Sequence, residues 1–119
     1  MSQPDFTGAI ASKAKVHDYL LSLIHPAGRS KARFFHQAGF TQIKWHLLAK
    51  ALTDLACTNE VVKMSPGYFG VKYTIEGVLS TPSDMRPKVR TVWIVEATGM
   101  EPRLVTVHPL MKEVQDAGT

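Results

Sequence analysis

Two periods of apolar residues divide the chain. From Lys13 to about Asn59 they recur at three- and four-residue spacings, and from Glu60 to His108 they alternate. The first pattern marks amphipathic helices and the second marks strands. Val16, Tyr19, Leu20 and Leu23 form the first helical stripe, with Lys13, Lys15 and Asp18 outward. Ile24-His25-Pro26 ends it, because the residue before a proline is driven out of helical geometry. Pro26-Ala27-Gly28 is a turn, and Ser30 is placed to cap a second helix that begins at Lys31 and stops at Gly39-Phe40. Ile43, Leu47, Leu48, Ala51, Leu52 and Leu55 predict a third helix from about Thr41, its expected cap, to Ala56. His46 lies off that stripe as a boundary residue.

The alternating half predicts about four strands. Glu60 to Met64 is the first, and the turn Ser65-Pro66-Gly67 follows it. In the second, Val71, Tyr73, Ile75 and Leu79 face one way and Lys72, Thr74 and Glu76 the other. Lys88 to Glu96 is the third and reads as central, a long β-forming run with turn residues on both sides. Arg103 to His108 is the last, stopped by Pro109. Short connections imply antiparallel neighbours. The expected fold is α+β, with three N-terminal helices packed on one face of a roughly four-stranded antiparallel sheet. Tyr73, Ile75, Val92, Ile94, Val105 and Val107 are expected to meet the helices. Lys72, Thr74, Glu76, Thr91, Trp93, Thr106 and His108 are expected on the opposite face. A one-residue slip or bulge exchanges the two sets on a strand. The domain is expected over residues 13–110, with a loose N-terminal arm at 1–12 and a tail at 111–119.

Composition narrows the class. With 119 residues, 45% hydrophobic and 20% charged, the chain can bury one core without staples. Cys57 stands alone, which leaves no disulfide framework and no cysteine metal cluster, and a lone thiol fits a reducing compartment. The apolar runs are too short to span a membrane, and Met-Ser-Gln-Pro-Asp-Phe lacks the features of a signal peptide. A cytoplasmic single-domain protein without a membrane partner is expected. The formal charge of +4 tilts the partner toward an anion: nucleic acid, a phosphate ligand or an acidic protein.

Several chemistries lack their residues. There is no P-loop, dinucleotide fingerprint, His-Glu-x-x-His motif, zinc-spaced Cys/His set or nucleophile elbow. No metal and no cofactor is therefore expected. The remaining His, Lys, Arg, Thr, Tyr and Trp suit metal-independent RNA cleavage. There a base takes the 2′-hydroxyl proton, an acid serves the leaving oxygen, and a cation stabilises the charged phosphorane. His25 and His108 are the acid/base candidates, although His25 can equally bond backbone at a helix end and His108 can be a plain strand-end residue. Lys31 and Arg90 are the candidate phosphate partners; Arg90 has the alternative of a rim residue with its stem packed. Thr91 beside Trp93 is a candidate working surface, with Trp93 stacking a base or, alternatively, buried in the core. Arg29, Ser30 and Arg33 surround the start of the second helix, where free amides favour a phosphate, or else Ser30 merely caps and the cations are solvated.

His25-Pro26-x-Gly28-Arg29-Ser30-Lys31-Ala32-x-Phe34-Phe35, Lys72-Tyr73, Glu76-Gly77, Val89-Arg90-Thr91-Val92-Trp93 and Pro102-Arg103-Leu104-Val105-Thr106 together resemble an uncharacterised bacterial domain family. That family, a domain of unknown function, occurs alone and at the C-terminal ends of secreted polymorphic toxins. The resemblance runs from about Lys15 to Pro109. The order of elements is similar to the barnase–EndoU–colicin–RelE class of ribonuclease toxins, a fold analogy. The resemblance implies a toxin-like ribonuclease held in check by a small acidic antitoxin or immunity protein. The matched polar positions add Lys72, Tyr73, Arg103 and Thr106 as nucleic-acid contacts. Where the family pattern ends in Thr-x-Tyr-Pro, this chain has Thr106-Val107-His108-Pro109, which sets His108 apart from it. The alternative function is a non-catalytic basic module that binds nucleic acid or an acidic protein.

Overall fold

The computed structural model describes residues 5–24, 29–99 and 101–110. A 3-10 turn at Phe6–Gly8 comes first. It is followed by α1 (Lys13–Lys15), which runs on into a π-helical stretch at Val16–Leu20. Then come α2 (Arg29–Gln37), α3 (Trp45–Thr58), β1 (Val61–Pro66), β2 (Gly70–Val78), β3 (Lys88–Glu96) and β4 (Arg103–Pro109). The fold is α+β, with three helices and a four-stranded antiparallel sheet in the order β1-β2-β3-β4. No helix among the described residues is long and apolar enough to cross a membrane.

Local chemistry sets the helix ends. Ser12 caps α1, its hydroxyl accepting from the Lys15 amide at 3.2 Å. The π-stretch is marked by the Leu21 amide reaching back five residues to the Val16 carbonyl at 2.9 Å. Because α2 begins at Arg29, Ser30 lies inside its first turn and is not the cap expected of it. Thr41 accepts from the Lys44 amide at 3.3 Å in a turn that precedes α3, so the helix starts later than its stripe suggests. Leu48, Leu52, Leu55 and Ala56 bury the α3 stripe, whereas Ile43 stays 89% exposed and Leu47 is also open.

The inner face of the sheet corrects the predicted division. Val89, Thr91 and Trp93 are fully buried beside Ile75, Val107 and Leu104, while Val92 and Ile94 turn to the opposite face. Both faces of β3 carry apolar residues, so alternation alone does not say which one is covered. What buries the Thr91–Trp93 pair is mutual satisfaction. The Trp93 indole N–H donates to Thr91 Oγ1 at 2.8 Å, and that hydroxyl donates to the Ile75 carbonyl at 2.8 Å. The polar atoms therefore enter the core already partnered, and the large indole can bury its area there. Thr91 and Trp93 are core residues and not a working surface. Tyr73 belongs to the same side, packed edge-on to Phe6 at 6.3 Å, and not to a nucleic-acid surface.

A bulge re-aims β4. Val92 pairs with Thr106 but Trp93 pairs with Leu104, which leaves Val105 as the extra residue. Leu104 and Val107 consequently share the inner face, and Val105 loses its expected core place. Gly77 leaves room on β2 for the Asn59 side chain, whose amide nitrogen would stand 2.6 Å from a Cβ there. Part of the segment expected as an N-terminal arm packs against the sheet. Phe6 is buried with its ring 5.9 Å from Trp93, and Ile10 bridges Arg103. The expected tail at 111–119 lies outside the described residues.

Candidate functional site

The open face of the sheet is built from rows that run across the strands. Glu76, Arg90 and His108 are register partners on β2, β3 and β4, so their side chains share that face. Thr74, Val92 and Thr106 form the next row, and Lys72, Ile94 and Arg103 the one beyond. Arg90 donates to Glu76 at 2.8 Å, which holds the guanidinium beside His108 in the middle of its row.

β4 is an edge strand, and helical residues reach past that edge. Lys31 of α2 donates to Thr106 Oγ1 at 2.7 Å and to the Tyr19 hydroxyl at 3.2 Å. Its ammonium also lies 5.4 Å from the centroid of the Tyr19 ring, and Lys15 stands 5.6 Å from the same ring. Lys15 precedes Tyr19 by one helical turn, so α1 and the π-stretch bring the pair together locally. The long-range contact with Lys31 is tertiary.

Electrostatics follow from this crowding of cations. Burial pushes the Tyr19 phenol up, but hydrogen bonds with Lys31 and Thr106 and the charges of Lys31 and Lys15 outweigh it, leaving its pKa below that of an ordinary tyrosine. His108 is open to solvent on one side. Partial burial and then the charges of Lys31 and Arg90 lower its pKa below the ordinary 6.5. Its imidazole is thereby kept neutral, able to accept a proton, through the neutral pH range. Perturbed groups gathered beside cations mark a candidate site for chemistry.

The predicted residues divide cleanly. Lys31, Arg90, His108 and Thr106 come together, and Lys72 and Arg103 lie exposed on the same face. Ser30 and Arg33 are exposed on α2. Arg33, two residues from Lys31, projects from roughly the opposite side of the helix. His25 and the side chain of Arg29 lie outside the described residues. One residue escaped the sequence reading, and another was placed on the open face without a role. Tyr19 was absorbed into an apolar stripe, although a phenol one turn from Lys15 signals a polar tip. Glu76 shows its role only once register sets it opposite Arg90.

At the far end of the open face, the β1–β2 hairpin carries two exposed rings. Tyr68 is 92% and Phe69 73% exposed, with ring centroids 4.9 Å apart in an edge-to-face pair. A hollow of about 210 Å³ lies between this tip and Lys72 and Ile94. A second, of about 220 Å³, lies between Ile94, Arg103 and Lys15.

No curated protein and no solved structure matches the chain. A family model matches residues 3–111, and the chain accordingly belongs to the family described as a domain of unknown function, DUF6883.

Proposed function

We propose that the protein is a toxin-like, metal-independent ribonuclease whose site is the His108–Arg90–Lys31–Tyr19 cluster. The observation that supports this reading is the convergence, from four separate elements, of a neutral histidine, an acidified phenol and two cations at one open sheet face. In the proposed reaction, His108 accepts the proton of a ribose 2′-hydroxyl as its oxygen attacks the adjacent phosphorus. Lys31 and Arg90 stabilise the charge that accumulates on the phosphoryl oxygens. The P–O5′ bond breaks, and Tyr19 returns a proton to the leaving oxygen, giving a 2′,3′-cyclic phosphate and a free 5′-hydroxyl. Glu76 positions Arg90, and Thr106 positions Lys31. The basic character of the site fits a small acidic antitoxin or immunity protein as the partner that silences it, within the cytoplasm of the producing or target cell.

The test is inducible expression in a bacterial host of the wild type beside His108→Ala and Arg90→Ala, with total RNA run on a gel. Growth arrest with RNA breakdown in the wild type, lost in variants that keep their circular dichroism, is the expected result. Intact RNA with normal growth, combined with salt-sensitive binding of RNA by the purified wild type, would instead establish a non-catalytic basic module.

A further inference from the structure

The ring pair at the β1–β2 hairpin has no role in the proton transfers above, and its backbone is tied down at two points. The Gly67 amide donates to the Gly70 carbonyl at 2.8 Å, and the Ala97 amide donates to the Phe69 carbonyl at 3.1 Å, which ties the tip to the turn after β3. Gly70 has a φ of 153°, and a Cβ there would collide with the Val95 carbonyl, so only glycine lets the hairpin lie this close to β3. The result is a tip, bonded to the turn after β3, whose two large rings face water and not the core.

From this tip a track crosses the open face. The first hollow joins Phe69 to Lys72 and Ile94, and the second joins Ile94 to Arg103. Four residues of β3 separate Ile94 from Arg90, about 13 Å at strand spacing. Exposed rings at one end, cations in the middle and the phosphate-directed cluster at the other end match single-stranded RNA. Every base has a π-face to stack, and every linkage carries a negative charge. We propose that Tyr68 and Phe69 form a base-stacking subsite for single-stranded RNA, with Lys72 and Arg103 holding the phosphates between the tip and His108. This inference rests on the ribonuclease reading for its ligand, since it extends the same face.

The experiment is fluorescence anisotropy with a labelled 2′-O-methyl oligouridylate, which cannot be cleaved through its 2′-oxygen, against the corresponding dinucleotide. Wild type, Tyr68→Ala, Phe69→Ala, the double variant and Tyr68→Phe are compared at one salt concentration. The oligomer is expected to bind more tightly than the dinucleotide. Each alanine should weaken oligomer binding about 10-fold, and Tyr68→Phe should bind as the wild type does. The inference is overturned if the double alanine variant binds the oligomer as tightly as the wild type, while the open-face reading then stands. A wild type that binds neither oligomer nor dinucleotide overturns both. A Tyr68→Phe variant as weak as Tyr68→Ala would show that the hydroxyl carries the contact, and stacking would be rejected.

Discussion

The two faces of this sheet use the same kinds of side chain for opposite ends. On the inner face a threonine hydroxyl sits between the Trp93 N–H and the Ile75 carbonyl, and the chain of bonds is closed. On the open face another threonine, Thr106, accepts from Lys31, and the bonds lead outward to an ammonium and a phenol, with the His108 imidazole under the charge of that ammonium. A hydroxyl in a strand thus says little by itself. Its meaning depends on whether its partners exhaust their donors inside the protein or leave charge facing water. The inner cluster closes its bonds within the core, and the outer one leaves cations facing water.

Substitutions separate the two roles. Trp93→Ala should have the largest effect on folding, a loss of about 3–5 kcal/mol from the emptied indole site, read by urea denaturation. On the other face, Lys31→Ala should cost on the order of 10²–10³-fold in RNA cleavage, the scale of one lost donor to a developing negative charge, with the urea midpoint nearly kept. Should Lys31→Ala instead unfold the protein while cleavage per folded molecule persists, the contrast between the faces collapses. Thr91→Val comes next, at about 1–3 kcal/mol, because it leaves the indole N–H unpaired in the core and takes a donor from the Ile75 carbonyl. A Thr91→Val/Trp93→Phe double variant should recover part of that loss, since the orphaned donor is gone. Glu76→Gln should change stability by no more than about 1 kcal/mol, since the ion pair is partly solvent-exposed. Its cost is expected in cleavage, through a loosened Arg90.

The pH profile sharpens the comparison further. A base must be neutral to act, so cleavage should fall as pH drops through the His108 pKa, which lies below 6.5. Partial burial and the charges of Lys31 and Arg90 hold it there. Arg90→Gln removes one of those charges and should move the acidic limb of kcat/KM upward, toward 6.5. An acidic limb that stays in place in that variant would assign the titration to another group.

Much of the architecture was readable in the residues. The switch of period after Asn59 is real, since α3 ends at Thr58 and β1 starts at Val61. The run from Lys88 to Glu96 is β3 from end to end, flanked by β2 and β4. Arg90 and His108 were identifiable as polar residues of the strand segments, and Lys31 as one of the cations gathered at the start of the second helix. Other features were not accessible in this way. β3 has apolar residues on both sides, so the inner face followed from the Trp93–Thr91–Ile75 bonds and not from periodicity. The β4 bulge placed Leu104 and Val107 together, and no local residue announces it. Tyr19 looked apolar until Lys31, twelve residues on, donated to its hydroxyl.

Secondary structure along most of this chain follows from near neighbours in sequence. Side-chain period, caps and proline stops act within a turn or a strand, and their energies are local. The site does not follow from them. Lys31 meets Thr106 across 75 residues, and Arg90 meets both Glu76 and His108 only through strand register. Register is decided when the whole sheet closes around a shared core, with the Trp93 indole and its partnered hydroxyl inside. The residue types were therefore determined by the sequence. Tertiary structure decided which of them share a face, and with it the neutral histidine, the lowered phenol and the cationic surface beside them.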